Sequence, residues 1–127
     1  MARKKGARSL LVAKLDRYFS KYIRSKDADH AGFVECYTCG KRKQWREVDA
    51  GHFQTRAKYS TRWDEQNVKP QCKSCNMSNG GHQYLFAKHL DRQYGEGTAD
   101  EVVMRGNQIR KFTDEELQSM ADLYRNW

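Results

Sequence analysis

Two Cys-x-x-Cys pairs constrain this chain more than any other feature of its sequence. CYTC and CKSC hold Cys36, Cys39, Cys72 and Cys75, with residues 40–71 between the pairs. Each CxxC turn brings its two sulfurs to one side, and four thiolates around one ion form the closed, structural type of zinc site. The spacing therefore predicts one structural Zn²⁺ per chain, which joins the two ends of the intervening segment. A redox role for these pairs is less favoured, because the four cysteines stand at metal-binding spacing.

The composition explains why such a zinc site would be needed. The chain has 127 residues, of which 38% are hydrophobic and 31% are charged. A chain of this length and composition buries a thin core and is usually stabilised by a metal or a partner. We expect an α+β, mostly helical fold in which one zinc-stapled domain spans residues 10–127. A basic, disordered tail is expected over residues 1–9.

The charge of the chain points to an anionic partner. The net charge is +8 and the sequence pI is about 9.4, which is typical of proteins that bind nucleic acid, although a basic surface can also serve solubility alone. The first residues lack the apolar run of a secretory signal, and no stretch is long and apolar enough for a membrane span. We therefore expect an intracellular protein in a reducing compartment, with no membrane partner.

Periodicity and capping residues predict the main elements. Apolar residues at three- and four-residue steps predict an amphipathic helix from Leu10 to about Lys26. A strand is expected near Glu47–Phe53, and a helix from at or just past the second cysteine pair to Tyr94, ended by Gly95. Capping boxes at Thr98–Glu101 and Thr113–Glu116 predict two further helices, the first of which ends near Gly106.

Three polar residues follow one another in the order typical of a nuclease site. His52 lies between the cysteine pairs, Asn67 follows it, and Asn76 comes directly after the last cysteine. A histidine can take a proton from water near neutral pH, and an amide oxygen can help to hold a hard divalent cation. Asn67 would hydrogen-bond the backbone and fix the histidine. Alternatively, His52 is a packed side chain and Asn76 a simple helix cap.

Several segments resemble a known family. LDRYFSKYIR at 15–24, CYTC, DAGHFQTR at 49–56 and WDEQNVKPQCKSCN at 63–76 are similar to the phage lambda recombination nuclease Rap (NinG) family. The zinc-plus-asparagine arrangement also resembles phage junction-resolving endonuclease VII. This resemblance implies an HNH (ββα-metal, His-Me finger) core and a metal-dependent endonuclease that cuts branched DNA, such as Holliday junctions and D-loops, in the cytoplasm of an infected bacterial host.

One position departs from the ββα-metal pattern. Many of these nucleases carry Asp or His immediately before the general base, where this chain has Gly51. We expect Asp49 to supply the acidic ligand instead, with a bend at Ala50–Gly51, and to hold Mg²⁺ or Mn²⁺ together with Asn76. The rival ligands, which would otherwise anchor the loop, are Asp64 and Glu65.

Basic residues around the motif are candidate DNA contacts. Arg56 is placed to hold a phosphate by a bidentate contact. The remaining candidates, which would track the DNA backbone or approach metal or phosphate, are Lys58, Arg62, Lys69, Lys73 and His82. Paired incision of a junction would require a homodimer, through the first or last helix, unless those helices only cover the core. Alternatives are an HNH endonuclease that cuts linear duplex in packaging, homing or restriction, or a non-catalytic zinc-dependent DNA-binding module.

Overall fold

The structure, a computed structural model, describes residues 6–127. It is a mixed α+β fold, and about half of the chain is helical. A 3₁₀ turn covers Trp45–Glu47 and a π-helical turn covers Ser74–Ser78. The other elements are α1 (Ala7–Ser25), β1 (Phe33–Glu35), β2 (Arg42–Gln44), β3 (Asp49–His52), α2 (Tyr59–Arg62), β4 (Val68–Gln71), α3 (Gln83–Tyr94), α4 (Thr98–Gly106) and α5 (Asp114–Tyr124).

The first and last helices pack together over one hydrophobic cluster. Helix α1 buries Leu15, Phe19 and Ile23, and α5 buries Leu117 and Ala121. The predicted amphipathic helix is therefore confirmed. It begins at Ala7 rather than at Leu10, so the predicted disordered tail is wrong for residues 7–9. The rest of that prediction falls largely on residues 1–5, which lie outside the described residues.

A second cluster lies between the segment that follows β3 and the helices α3 and α4. Its buried members are Phe53, Phe86, Leu90, Ala99 and Val102. The segment between the cysteine pairs thus contributes Trp63 and Val68 to the first cluster and Phe53 to the second. Because both ends of this segment are packed, β3 and β4 are held in a fixed position against α1.

The strands form two separate antiparallel pairs, β1 with β2 and β3 with β4. Strand β3 confirms the strand predicted near Glu47–Phe53. It pairs with β4 residue for residue, from Asp49 opposite Gln71 to His52 opposite Val68. The expected bend at Ala50–Gly51 is wrong, because this ladder runs through both residues without a bulge.

The helix boundaries show which capping signals the fold uses. Thr113 and Glu116 form the predicted capping box at α5. The box predicted at Thr98–Glu101 is wrong, because Thr98 is already inside α4 and its hydroxyl donates to the carbonyl of Gly95. Gly95, at φ +117°, follows the last residue of α3 as expected.

Helix α3 starts at Gln83, later than the predicted start at or just past the second cysteine pair. The chain leaves the second cysteine pair through the π-helical turn, and Gly80, Gly81 and His82 then adopt positive φ values of 59°, 83° and 49°. His82 therefore precedes α3 and does not lie within it. Across residues 6–127, no helix combines the length and apolar character needed to cross a bilayer.

Candidate functional site

The four cysteines converge as their spacing predicted. Their Sγ atoms all lie within 4.8 Å of one another, and Cys39 Sγ is 3.8 Å from Cys72 Sγ. Zn–S bonds of about 2.3 Å in a tetrahedron require sulfurs about 3.8 Å apart. This cluster could therefore hold a zinc ion. Among residues 6–127 it is the only group of three or more histidine, cysteine or acidic side chains with such geometry.

The surroundings of Cys36 stabilise its thiolate form. Burial alone would raise the pKa of Cys36, but backbone N–H groups at Cys39, Cys72 and Thr38 and the Thr38 hydroxyl hydrogen-bond the sulfur and lower its pKa to about 6. The Thr38 hydroxyl lies 3.5 Å from Cys36 Sγ. A thiolate, rather than a thiol, is the form that ligates a metal.

The cysteine cluster fixes the position of Asn76. The backbone N–H of Asn76 donates to the carbonyl of Cys72 over 3.0 Å, and its side-chain Nδ2 donates to Asp49 Oδ2, also over 3.0 Å. Lys73 Nζ donates to the other oxygen, Asp49 Oδ1, over 2.8 Å. Burial raises the pKa of Asp49, but the hydrogen bonds from Lys73 and Asn76 outweigh it and the pKa is lowered. Asp49 is therefore ionised at neutral pH.

A buried glutamine explains why residue 51 is glycine. A Cβ placed on Gly51 would stand 1.9 Å from Gln71 Oε1. Gln71 is fully buried, and its Nε2 donates to the Thr38 hydroxyl and the Gly81 carbonyl. Its side chain thus ties β4 to the first cysteine turn and to the start of α3. An acid at position 51 would require Gln71 to move.

His52 lies on the opposite side of β3, in a small cleft against α1. The cleft, of about 100 Å³, is lined by Asp16, Phe19, Ser20, Ala50, His52, Arg56 and Arg62. His52 Nε2 lies 3.0 Å from the carbonyl oxygen of Arg62. Because a carbonyl only accepts, Nε2 carries the proton in the neutral ring and Nδ1 is the basic nitrogen. Burial lowers the pKa of His52 below its ordinary 6.5, against the opposing effect of the Arg62 and Ala50 carbonyls.

Asn67 holds the loop that joins β3 to α2. It is fully buried, and its Nδ2 donates to the carbonyls of Gln54 and Thr61, each over 3.0 Å. Its Oδ1 accepts from the backbone N–H of Gln54 over 2.6 Å, and its own carbonyl accepts from the N–H of Phe53. These bonds begin at the residue after His52, so Asn67 orients the backbone that carries the histidine.

The structure brings Asp49 and Asn76 together but places His52 apart from them. Side chains alternate along a strand, so Asp49 and Gly51 face one side of β3 while His52 faces the other. In the ββα-metal pattern the acid stands at the position of Gly51. Asp49 lies on the same face of β3, two residues earlier in the strand. Its contact with Asn76 is the pairing that the sequence analysis expected of two metal ligands.

The predicted basic DNA contacts fall into distinct environments. Arg56 is exposed beside the His52 cleft, and within the described part of the chain it forms no ion pair. The Arg62 side chain is only 11% exposed and donates twice to the Asp16 carboxylate. Lys58 donates to Gln54 and Asn107.

Lys69 and Lys73 are both engaged with the protein. Lys69 is 5% exposed, lies at the edge of a groove of about 690 Å³ and donates to the Tyr94 hydroxyl. Burial lowers the pKa of Lys69 to about 8. Lys73 is exposed and paired with Asp49. The DNA-contact predictions for the buried Lys69 and for Arg62, which is paired with Asp16, are thus the least compatible with this geometry.

The rival acids are engaged elsewhere. Asp64 accepts from the backbone of Gln66 and from Arg105 Nε, which anchors the loop to α4. Glu65 hydrogen-bonds the Tyr22 hydroxyl and raises the pKa of that tyrosine. Asp49 is therefore the acid that remains beside Asn76.

Two residues that contact the candidate site, Asp16 and Gln71, were not predicted from the sequence. Asp16 accepts from Arg62 and from Trp63 Nε1 and lines the His52 cleft. Its signal was available, since it is the only acid in the otherwise basic α1. Gln71 gave no comparable signal, because its role depends on the close approach of Gly51.

Comparison with known proteins identifies the family. The model for the family described as "Bacteriophage Lambda NinG protein" matches residues 2–127. The protein ninG of Escherichia phage 933W is 30% identical over 120 residues, which cover 92% of this chain and 56% of the relative. The proteins ninG of Escherichia phage lambda and Salmonella phage P22 are 29% and 28% identical over the same length, with 92% of this chain and 55% of each relative covered.

This chain spans about half the length of the curated relatives it matches. No solved structure shows a significant match to it. The family model covers nearly all of the sequence, including both cysteine pairs and the segment between them. The chain therefore belongs to the bacteriophage lambda NinG family.

Proposed function

We propose that this chain is a metal-dependent DNA endonuclease of the HNH class, with His52 as its general base. The observation that carries the proposal is the contact between Asp49 and Asn76, which are 27 positions apart and meet at 3.0 Å. The order of elements supports it: two antiparallel strands, β3 and β4, are followed by a helical turn that begins at Ser74, one residue before the last cysteine. This is the order of a ββα-metal core.

His52 has the protonation state that a general base requires. Its lowered pKa keeps the ring neutral at pH 7, and the Arg62 carbonyl holds the proton on Nε2. Nδ1 would accept a proton from water as that water attacks the phosphorus of a DNA phosphodiester. The bond from phosphorus to the 3′-oxygen then breaks, and the 3′-oxygen leaves. Asn67 keeps His52 in place through the loop that it anchors.

Asp49 and Asn76 would hold the divalent cation, Mg²⁺ or Mn²⁺. Bound there, the cation would neutralise negative charge that develops on the phosphate and its leaving oxygen, which requires one phosphate to reach both the Asp49 face and the His52 face of β3. Two local changes must accompany binding. Lys73 must release Asp49 Oδ1, and the Asn76 amide must turn so that its oxygen, rather than Nδ2, faces the site. Release of Lys73 is inexpensive, because its side chain is 64% exposed.

The surroundings of His52 suit an anionic substrate. Arg56 stands exposed at the His52 cleft, where its guanidinium can bind a phosphate by two parallel hydrogen bonds. The net charge of +8 favours encounter with DNA. The adjacent Arg62 instead donates to the Asp16 carboxylate, which also lines the cleft.

The substrate we propose is branched DNA, such as a Holliday junction or a D-loop. Symmetric incision of a four-way junction would require two chains, so the active form would be a homodimer. Helices α1 and α5 cover the core of one chain, yet Leu10, Leu123 and Trp127 remain at least half exposed on the same helices and on the residues that follow them. These side chains would contribute to the contact between copies.

Cleavage of a labelled four-way junction and of a linear duplex of the same sequence tests the proposal. Mg²⁺, EDTA and a zinc-loaded His52→Ala variant would be compared, with His30→Ala as a matched control because His30 is exposed away from the cleft. The expected result is junction cutting that EDTA abolishes at unchanged zinc content and that His52→Ala abolishes, but that His30→Ala does not. Equal cutting of both DNAs would retain the nuclease and refute the branched substrate.

A non-catalytic DNA-binding module is the second candidate. The ion pair between Lys73 and Asp49 favours it, because an ammonium occupies one oxygen of the proposed metal ligand. Tight DNA binding with no cutting under any divalent ion would establish this alternative and refute the nuclease.

A further inference from the structure

Helix α3 presents an exposed stripe that none of the contacts above explains. Tyr84, Lys88 and Arg92 are all exposed, and they recur at steps of four residues, which places them along one face of the helix. Tyr84 is 78% exposed, an unusual state for a large aromatic side chain in a folded domain. The residues between them on the other faces, such as Phe86 and Leu90, are buried in the second hydrophobic cluster.

The stripe is positively charged. Within residues 6–127, neither Lys88 nor Arg92 takes part in an ion pair. The only acid in α3 is Asp91, and its carboxylate accepts from the backbone N–H of Ala99, which fastens α4 to α3. The exposed face of α3 therefore combines one aromatic ring with two free cations.

The stripe begins close to the proposed metal ligands. Gly81 N donates to the carbonyl of Cys75 over 2.9 Å, so the chain that leaves Asn76 returns to it before α3 starts. Tyr84 follows Gly81 by three residues, which span at most about 11 Å of extended chain. From Tyr84 the stripe extends about 12 Å along α3 to Arg92.

The start of α3 is rigidly connected to the cysteine cluster. The buried side chain of Gln71 donates to the Gly81 carbonyl, and Phe86 N donates to the His82 carbonyl. The stripe consequently keeps a fixed position relative to Asn76. A strand bound along it would be delivered to the proposed site in one register.

We propose that the stripe formed by Tyr84, Lys88 and Arg92 binds an unpaired DNA strand next to the cleavage site. Tyr84 stacks on an unpaired base, and Lys88 and Arg92 hold successive phosphates of the same strand. An exposed aromatic ring followed by cations is the combination that proteins use for single strands, because a paired base offers no free face to an approaching ring. This inference rests on the proposed function, and it explains why a branched substrate, which exposes unpaired bases, would be preferred.

Binding measured without added Mg²⁺ or Mn²⁺ tests the inference apart from catalysis. The full chain, with zinc retained, would be titrated against a fluorescently labelled single strand and against a duplex of equal length. We expect the single strand to bind more tightly, and Tyr84→Ser to weaken its binding roughly five- to 150-fold, the range for loss of one stacked base. The matched control is Ile109→Ser, because Ile109 is 92% exposed and lies outside the stripe.

The charges are tested by salt dependence. The slope of log K against log salt is negative, and each phosphate contact to a single strand contributes about 0.7 to its magnitude. The double variant Lys88→Gln/Arg92→Gln should therefore reduce that magnitude by about 1.4. The double variant Lys111→Gln/Arg125→Gln removes the same charge from exposed positions elsewhere and should leave the slope unchanged. Circular dichroism would confirm that each variant is folded.

The two proposals fail in different ways. A chain that binds single strands through the stripe but cuts no DNA would refute the nuclease and retain the stripe. A chain that cuts DNA while the stripe variants bind with wild-type affinity and salt slope would refute the stripe and retain the nuclease. Tighter binding of the duplex than of the single strand would also overturn the inference.

Discussion

Asp49 and Asn76 meet at 3.0 Å across 27 residues of sequence, and the last cysteine of the cluster directly precedes Asn76. The second partner of Asp49, Lys73, lies between the two cysteines of the same pair. Both partners are thus part of the second cysteine turn. The geometry of the proposed catalytic-metal site therefore depends on the structural site beside it.

Replacing Lys73 with glutamine should increase the apparent affinity for Mg²⁺. The substitution removes the ammonium that competes for Asp49 Oδ1. Because Lys73 is 64% exposed, the ion pair is worth at most about 1 kcal/mol, so half-maximal cutting should shift to roughly fivefold lower Mg²⁺ at most. A Mg²⁺ titration of cutting, with Lys111→Gln as control, checks this. A higher Mg²⁺ requirement would indicate that Lys73 assists the substrate rather than competing with the ion.

The pH dependence of cutting should show an acidic limb with a midpoint below 6.5. A base acts in its deprotonated form, so cutting falls as pH drops through its pKa. Burial lowers the pKa of His52 from its ordinary 6.5, so the fall begins at lower pH than it would for an exposed histidine. Cutting rates between pH 5 and 8 measure this midpoint, with zinc content monitored at each pH.

A midpoint above 6.5 would contradict the environment described for His52. His52→Ala should reduce the cutting rate by about 10²- to 10⁴-fold, the usual contribution of a general base, without lowering the zinc content of the protein. His30→Ala should retain both the rate and the midpoint.

Loss of one cysteine ligand should destabilise the whole chain. Cys75→Ser removes a buried ligand of the cluster that holds the second turn. Structural zinc contributes about 10–16 kcal/mol in small zinc-dependent domains, so we expect a loss of more than about 3 kcal/mol of unfolding free energy. Thermal melting by circular dichroism, together with zinc analysis, measures the effect. Ser78→Ala, at an exposed position of the same turn, should melt as the wild type does.

Gly51 and Gln71 should behave as a coupled pair. Gly51→Ala places a methyl group against Gln71 Oε1 and should cost about 1–3 kcal/mol of stability through overpacking. In Gly51→Ala/Gln71→Ala the clash disappears, so the combined cost should be smaller than the sum of the single costs. Urea unfolding of the two single variants and the double variant gives this difference. Additive costs would show that the two residues do not contact.

The parts of the site that the sequence predicted are those tied to local spacing. The four cysteines follow from CxxC turns, and Asn76 follows because it adjoins Cys75. Helix α1 follows from its apolar period, although its start at Ala7 could not be located because no capping side chain marks it. Asp49 does lie beside Asn76, but its role as a metal ligand stays a prediction, and the regular ladder of β3 does not contain the bend on which that prediction relied.

The parts that escaped prediction depend on contacts between distant residues. Arg62 was expected to face DNA, yet it pairs with Asp16 across 46 positions. Lys69 looked like a surface cation, but β4 turns it toward Tyr94 and its side chain is buried. The stripe on α3 could not be predicted either. The apolar residues of this helix do not follow a regular period, so only its packing shows which face is exposed to solvent.

The contact between Gly51 and Gln71 also limits how this site can evolve. A relative that carries an acid directly before the histidine would need a smaller or differently oriented residue in place of Gln71, because the acid would otherwise clash with the Gln71 side chain. Loss of Gln71 would in turn free Thr38 and Gly81 from their shared donor. The two positions should therefore covary across the family, and the position of the acid should be inherited together with the residue at 71.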